Sequence, residues 1–458
     1  MKVMKFGGGC LSKPEDFFRV AEIIKLEKDK TTIVVSAISG ITNILVDAVQ
    51  QAMQSEKKVR GIINLLNEKH EAIVHKAIKN KEIRQEVLTE LEKRLKKLER
   101  LLYGIAYTED VTNSLRAMIY SYGERLCAVM LAGVLRSENI KAVALDADEI
   151  GMLTDESFEH ATALLPEVKK EFKKSLMPLL KQGIVPVVTG YLGCTPDGKV
   201  TTFGRNGSDY SAAVIAYGIG ADILEIWKDV DGFMSGDPKL VKKAHKIDKL
   251  SYKEAAELSY FGAKILHPRT VEPLLELGTI IKIKNIYKKN DEGTVVSPSG
   301  YEKEDVIKSV TFNKNISVIK VQGPGVGYKP GVIAEIGQTL SGKGINIYSI
   351  ITSQTCINLL IDKQDAHKGY DMVKKIVDGV IDRVDLEDGI ALVAVVGEGL
   401  FKRIGVAARV FTAVASEYIN VEMISSGASE VAYYFIVQEK DVEAAINAVH
   451  KEFFGNGW

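Results

Sequence analysis

Between a strand-like stretch at 200–203 and a helix-like stretch at 208–217 stands the run Gly204-Arg205-Asn206-Gly207-Ser208-Asp209-Tyr210-Ser211. No other stretch constrains the fold as tightly, because a strand that passes through glycines straight into a helix builds one particular corner. Glycine allows the sharp turn and a close approach of backbone to ligand, and the first turn of a helix presents free N–H groups that favour an anion. Arg205 adds a planar fork suited to a carboxylate or phosphate, four residues before Asp209. A loop that only had to turn needs neither charge. The glycines alone are weak evidence of a site; the charged pair among them is better evidence.

Around this corner, up to about residue 287, short apolar runs alternate with helical patterns, as in an open α/β sheet with helices on both faces. Strands are expected at 1–6, 32–36, 142–145, 185–189, 223–227 and 280–283. Ser12 with Glu15, and Ser251 with Glu254, have the spacing of capping boxes that start helices. Residues 56–102 are rich in Lys and Glu with leucines and isoleucines at helical spacing, which reads as a solvated helical pair covering the sheet rather than a partner-binding coiled coil. Glu124 follows Gly123 on an apolar helix expected at 117–135; read by its neighbours alone, it pairs with Arg125 on the helix surface. A turn-rich stretch at 290–300 closes this first domain, placed at 1–297.

Beyond it the chain repeats itself. A shift of about 74 positions lays Val321, Gly323, Gly325, Gly331, Ile345 and Asn346 on Val395, Gly397, Gly399, Gly405, Ile419 and Asn420. Each copy reads strand, glycine loop, amphipathic helix, strand, and the copies are placed at 305–385 and 386–458. Gly323-Pro324-Gly325-Val326-Gly327 has the look of a dinucleotide loop, but no acidic residue follows at the required distance in a βαβ unit.

Composition closes off other classes. Sixty basic residues balance sixty acidic ones, so nothing points to nucleic acid or to an acidic membrane surface. No apolar run is expected to span a bilayer, and the four cysteines (Cys10, Cys127, Cys194, Cys356) are too scattered for a metal site, which reads as reduced thiols in a cytoplasmic protein. The seven histidines form no nucleophilic constellation, and His267 beside Pro268 reads as structural. Lys5, just before Gly7 and Gly8, is equally a solvated strand-end lysine or one aimed at a phosphate-cradling loop.

Six blocks in one order tip that balance. Lys5-Phe6-Gly7-Gly8, Val34-Val35-Ser36-Ala37-Ile38-Ser39-Gly40-Ile41-Thr42-Asn43, Tyr122-Gly123-Glu124-Arg125-Leu126, the run at 204–211, Glu225-Ile226-Trp227-Lys228-Asp229-Val230-Asp231-Gly232 and Phe261-Gly262-Ala263-Lys264-Ile265-Leu266-His267-Pro268 follow one another between residues 5 and 268. Together they resemble the aspartate kinases (aspartokinases) of the amino acid kinase family, and the repeat resembles their C-terminal pair of ACT domains. The resemblance implies an open αβα three-layer kinase fold followed by two βαββαβ ACT modules. It implies ATP-dependent phosphorylation of the β-carboxylate of L-aspartate to 4-phospho-L-aspartate, the opening step toward lysine, threonine and methionine. With the second module ending near Trp458, a monofunctional enzyme is expected.

Phosphoryl transfer to an already ionised carboxylate asks for positioning and positive charge rather than a general base. By resemblance, Lys5 would bridge ATP and substrate beside Gly7 and Gly8, Lys264 would hold the phosphates from the other side, Asp209 would orient these lysines, and Mg2+ would neutralise the β- and γ-phosphates. Arg205 would take the α-carboxylate of aspartate and Glu124 its α-ammonium, with Thr42 and Ser208 adding contacts. Lys228, Asp229, Met234 and Lys239 would belong to the nucleotide loop. An amino-acid effector would sit at Asn346, Tyr348, Thr352, Ser353 and Gln354, and the modules would pair to make a homodimer or homotetramer.

Departures cluster on the ATP side. Gly9 and Cys10 stand where Thr-Ser is usual, Lys228 where threonine is usual, Met234 for tyrosine and Lys239 for arginine. At about 1 kcal/mol per lost hydrogen bond, the expectation is weaker ATP affinity rather than lost activity. Tyr348 and Gln354 remove negative charge from the effector stretch, which favours threonine over lysine as inhibitor. Two rivals are a catalytically silent amino-acid sensor and a kinase of the same fold acting on N-acetylglutamate; Glu124 argues against the second, since an acetylated amine has no charge to pair with.

Overall fold

The first strand, Lys2–Phe6 (β1), is buried along its whole length, and a sheet grows from it on both sides. A computed structural model of the chain describes residues 1–27, 30–204, 206–263, 265–301, 306–376 and 380–455, and divides them into two units. The first comprises Met1–Phe233, Lys246–Ala256 and Ile265–Gly300. Helix α1 (Pro14–Lys25) leads to β2 (Thr31–Val35), followed by α2 (Ile41–Gln54), α3 (Val59–Ala77), α4 (Lys81–Thr108), α5 (Asn113–Tyr120) and α6 (Tyr122–Ser137). Then come β3 (Ala142–Leu145), α7 (Leu165–Ser175), α8 (Met177–Lys181), β4 (Val185–Thr189), the hairpin β5 (Leu192–Cys194) and β6 (Val200–Thr202), α9 (Gly207–Ile219) and β7 (Ile223–Lys228). β8 (Lys249–Ser251) runs into α10 (Tyr252–Tyr260), and β9 (Ile280–Asn285) and β10 (Thr294–Ser297) complete the unit.

The sheet order is β3-β4-β2-β1-β7-β9-β10-β8, parallel throughout except for the β9–β10 pair. From β1 the chain steps to β2 on one side and later to β7 on the other. Such a switch point opens a crevice at the carboxyl ends of the strands, where open α/β sheets bind ligands. Met4, Phe6, Ile33 and Val35 share one core with the apolar faces of α1 to α6, while α9 packs across β1, β2 and β7. This is the expected three-layer kinase fold.

Three local details differ from the sequence reading. Pro14 occupies the first helical position of α1, so the carboxylate that closes the cap is Asp16, accepting from the Ser12 and Lys13 N–H groups at 3.1 Å each, and not Glu15. The helix expected at 117–135 is two helices meeting at Ser121, which turns its backbone without leaving the apolar core. That stretch, 113–137, is long and apolar enough to cross a membrane, contrary to the expectation of no such run, but 89% of its most apolar window is buried inside the unit. The capping box of Ser251 and Glu254 forms as read, with bonds of 2.7 and 3.1 Å.

The second unit holds Met234–His245, Glu257–Lys264 and the chain from Tyr301 on. Its strands and helices are β11 (Ser309–Asn313), β12 (Ile316–Gln322), α11 (Val332–Ser341), β13 (Ile347–Thr352), β14 (Cys356–Asp362), α12 (Ala366–Val373) and β15 (Arg383–Glu387). They continue as β16 (Ile390–Val396), α13 (Val406–Ser416), β17 (Met423–Ser425), β18 (Ala432–Gln438) and α14 (Val442–Phe454). Two four-stranded antiparallel sheets result, ordered β13-β14-β12-β15 and β11-β16-β18-β17.

The 74-residue repeat is visible in the backbone. Gly325 and Gly399 have φ of +102° and +84°, and Gly331 and Gly405, which cap α11 and α13, have +98° and +88°. Gly323 and Gly397 are pressed against a carbonyl in the same way: a Cβ would meet Val380 O at 2.0 Å in one and Val306 O at 1.9 Å in the other. Val306 and Val380 are themselves equivalent by the repeat, and so are the strands that follow them, β11 and β15. β15 closes the sheet of the first module, whereas β11 closes the sheet of the second. The strand at 309–313, expected inside a first module at 305–385, therefore belongs to the second sheet, and the first module is inserted between β11 and β16.

Candidate active site

Lys5 and Lys228 stand at the carboxyl ends of adjacent parallel strands, where β1 pairs with β7 through Phe6 and Trp227. Asp209 reaches them from the first turn of α9. Lys5 Nζ lies 2.5 Å from Asp209 Oδ1 and Lys228 Nζ lies 3.2 Å from Oδ2, and the aspartate side chain is only 1% exposed. Burial alone would raise the Asp209 carboxyl, but the two ammonium groups overcome it and hold it down at about 2. Burial lowers Lys228, resisted by Asp209 and reinforced by Lys5.

The corner that delivers Asp209 needs its unusual residues. Gly204 has φ of +78° and Asn206, at the helix cap, +61°. Ser208 is buried against Gly190, where a Cβ would come within 2.8 Å of the serine Cβ. On the opposite wall, Gly8 lies so near the loop after β2 that a Cβ would meet Ala37 O at 2.9 Å, and a Cβ on Gly7 would come within 3.6 Å of Lys5 Nζ. The glycines after β1 thus keep the space beside Lys5 free of side chains.

Gly123 brings the third wall in. It packs α6 onto Ala37, and the next residue, Glu124, accepts the Ala37 N–H through Oε1 at 3.0 Å. Glu124 Oε2 is buried and has no hydrogen-bond partner among the described residues. The pairing with Arg125 read from the sequence does not form. Arg125 instead binds Asp146 and Asp148 at 2.8 Å each and donates to Ser121 Oγ, so Glu124 keeps a free oxygen. Burial pushes the Glu124 carboxyl up to about 8, against the opposing pull of the Ala37 N–H, its own N–H, Lys5 and Arg125. A buried acceptor in reach of the field of Lys5, with one lone oxygen, is fitted to a ligand cation. Thr42 is half-buried in the first turn of α2, just after Gly40 at φ of +82°.

The departures on the ATP side take definite positions. The Cys10 thiol is 1% exposed, donates to Trp227 O at 3.3 Å and is pushed up to about 12 by burial, so it faces β7 as an inert thiol. Gly9 leaves room for Asp229, whose Oδ2 would stand 3.2 Å from a Cβ there. Asp229 itself is exposed. Met234 and Lys239 lie in the second unit: Met234 O accepts from Ser309 Oγ at 2.8 Å, and exposed Lys239 donates its N–H to Asp237 Oδ1 at 2.9 Å. Arg205 and Lys264 lie outside the described residues. His267 is held structurally, its Nδ1 accepting the Arg269 N–H at 3.2 Å, with burial lowering the imidazole.

Tyr191 escaped the sequence reading. It holds φ of +72°, rare for an aromatic residue, with its N–H donated to Ser211 Oγ at 2.8 Å and its carbonyl accepting from Phe203 N–H at 2.9 Å. Its ring lies beside Gly207 at the start of α9, and the charge of Glu124 reaches it. Only its place after Gly190 at a strand end hinted at it.

In the second unit the effector stretch is partly engaged. Thr352, Ser353, Gln354 and Asn346 are exposed. Tyr348 is not open in the same way: its carbonyl accepts from Tyr260 Oη at 2.8 Å, its ring meets Tyr260 edge-on with centroids 5.4 Å apart, and burial together with the charge of Asp362 raises its hydroxyl. Among the described residues, no group of three or more His, Cys, Asp or Glu is placed to hold a metal ion.

The chain as a whole is similar to known proteins. The profile of the amino acid kinase family matches residues 1–285, and ACT domain profiles match 311–372 and 393–453. Aspartokinase 1, chloroplastic, of Arabidopsis thaliana is 30% identical over 469 residues, covering 99% of this chain and 80% of the relative. A bifunctional aspartokinase/homoserine dehydrogenase of Buchnera aphidicola is 28% identical across the whole chain, which spans 57% of that relative. The crystal structure of E. coli aspartokinase III in complex with aspartate and ADP superimposes with a TM-score of 0.86 at 26% identity, covering 99% of this chain and 100% of that one. The same enzyme in complex with lysine and aspartate gives 0.81 at 26% identity, with 99% coverage of both.

Proposed function

We infer the reaction from one premise: the chain belongs to the amino acid kinase family and, within it, to the aspartokinases. It transfers the γ-phosphoryl group of ATP to the β-carboxylate of L-aspartate. A bond forms between a carboxylate oxygen and γ-phosphorus, the bond between γ-phosphorus and the β,γ-bridging oxygen breaks, and ADP leaves with that oxygen and its electron pair. No proton has to move, so the chain must supply charge and position rather than a base.

The observation that carries the reading is the buried Lys5–Asp209–Lys228 cluster, which keeps a surplus of one positive charge, set in one cleft with the lone oxygen of Glu124. Lys5 stabilises the phosphoryl group in transfer, and Asp209 holds its ammonium group in place. Glu124 takes the α-ammonium of aspartate, assisted by Thr42 and Ser208. The resemblance adds Arg205 for the α-carboxylate and Lys264 for the phosphates. Among the described residues magnesium finds no protein ligand set, since Asp209 is engaged by two lysines; it would fit the reaction as an ion brought on the nucleotide phosphates with its own waters.

The ACT modules make the enzyme responsive to an amino acid, with threonine favoured over lysine, because Tyr348 and Gln354 offer no carboxylate to a side-chain ammonium. Edge strands β13 and β17, with Ile350 and Ile424 exposed, suit pairing into a homodimer or homotetramer. The product feeds lysine, threonine and methionine synthesis in the cytoplasm. Hydroxylamine trapping with aspartate, glutamate and N-acetylglutamate in turn tests the reaction: aspartate alone gives a hydroxamate, and turnover of the acetylated acid in its place refutes the role of Glu124.

A further inference from the structure

The resemblance places position 228 in the nucleotide loop but with a threonine there, so Lys228 is the one member of the charged cluster whose side chain departs from the family pattern. It ends β7 beside the end of β1, and its side chain, 17% exposed, shares Asp209 with Lys5, which is 7% exposed. Among the described residues no second carboxylate comes within ion-pair distance of either lysine. The other ionisable groups that act on Lys228 are Lys5 and Cys10, and His267 senses it in turn; none of these is an anion near neutral pH. Two buried ammonium groups on one carboxylate leave one positive charge unmatched, which is costly unless a ligand anion completes it. The wall at Gly7 leaves room for that anion: it carries no side chain beside Lys5 Nζ, and the Cys10 thiol is turned away to Trp227 O, whereas the space at Gly9 is taken by the Asp229 carboxylate.

We propose that Lys228 is a catalytic lysine of this enzyme, touching the β,γ-phosphates of the bound nucleotide together with Lys5, and that Asp209 sets the position of both. It supplies by charge what the hydroxyls missing at Gly9 and Cys10 would have supplied by hydrogen bonds. The proposal rests on the reading that a nucleoside triphosphate is the phosphoryl donor in this cleft.

The test compares ADP with AMP by calorimetry on the full chain, without acceptor, for wild type, Lys228→Thr and Lys228→Arg. Lys228→Thr weakens ADP by about tenfold or more while AMP and aspartate stay within about twofold, and Lys228→Arg restores most of the difference. A second measurement uses the wild-type protein alone: ADP, and not adenosine, protects Lys228 from acetylation read by mass spectrometry. An unchanged ratio of ADP to AMP affinity, a parallel loss for ADP, AMP and aspartate, or equal labelling of Lys228 with and without ADP overturns the proposal. A wild-type protein that binds ADP but leaves aspartate unphosphorylated overturns the reaction, not the role of Lys228.

Discussion

Gly123 lies against Ala37 so closely that a Cβ on the glycine would stand 2.6 Å from the alanine Cβ. This contact lets Glu124 reach the Ala37 N–H, and it ties the position of a substrate-binding carboxylate to a residue with no side chain. Gly123→Ala should therefore force α6 off the loop after β2. Overpacking of this kind costs about 1–3 kcal/mol. The expected result is a rise in aspartate KM of about tenfold, with ATP KM changed far less, read by steady-state kinetics at 25 °C.

The raised Glu124 carboxyl gives a pH signature. Its folded value of about 8 lies above the ordinary 4.5, so the native state holds an extra proton between these values. Without substrate, the Glu124 contribution to stability falls as pH rises from about 4.5 to about 8. An α-ammonium binds the ionised form, so aspartate KM should fall by more than about tenfold from pH 6 to 8. Glu124→Gln should flatten that slope while raising KM throughout. A wild-type KM that is level over this range contradicts the assignment.

Asp209 behaves with the opposite sign. Held at about 2, its carboxylate contributes stability that is present above the ordinary 3.8 and is lost as pH falls from there toward 2. Asp209→Asn leaves two buried ammonium groups without their anion. Breaking a buried pair of this kind costs on the order of 3–5 kcal/mol, measured by urea unfolding at pH 7. Because the two lysines then lose their common anchor, kcat should fall by more than about a hundredfold, with aspartate KM little changed.

How much of this was legible in the sequence differs from residue to residue. The apolar runs at 142–145 and 185–189 are strands to the residue, because a period-free apolar run bounded by turns has few other fates in a parallel sheet. Asp209 stands out in the sequence as a charge within a glycine turn, whereas Glu124 is legible only through the family resemblance, because its neighbours alone favour a surface pairing with Arg125. The surface pairing that its neighbours suggest does not form, because Asp146 and Asp148 take Arg125 from the end of β3 through tertiary packing. The strand exchange of β11 and β15 was hidden for the same reason: the 74-residue period shows what is equivalent, not which equivalent strand pairs with which. Lys228 reads from the sequence as a nucleotide-loop residue that departs from the family pattern, and only the distance to Asp209 shows that it joins Lys5 on one carboxylate.

The exchanged strands make their own prediction. Gly323→Ala and Gly397→Ala each drive a Cβ into a backbone carbonyl, at 2.0 Å from Val380 O and 1.9 Å from Val306 O, where no rotamer gives relief. Both should destabilise their own sheet by about 2–4 kcal/mol. Hydrogen exchange should show β12 and β15 loosened in the first variant and β11 and β16 in the second. Loosening of β11 with β12 in either variant contradicts the insertion of one module within the other.

The central claim is that the Lys5–Asp209–Lys228 cluster and Glu124 serve phosphoryl transfer to aspartate. The most direct measurement is the rate of aspartyl hydroxamate formation by the full chain with L-aspartate, millimolar MgATP and hydroxylamine, compared with Lys5→Met under the same conditions. The account predicts ATP-dependent product from the wild type and a loss of more than about a thousandfold in the variant. No product from folded wild-type protein at saturating aspartate and MgATP, or equal rates for the two proteins, would contradict it.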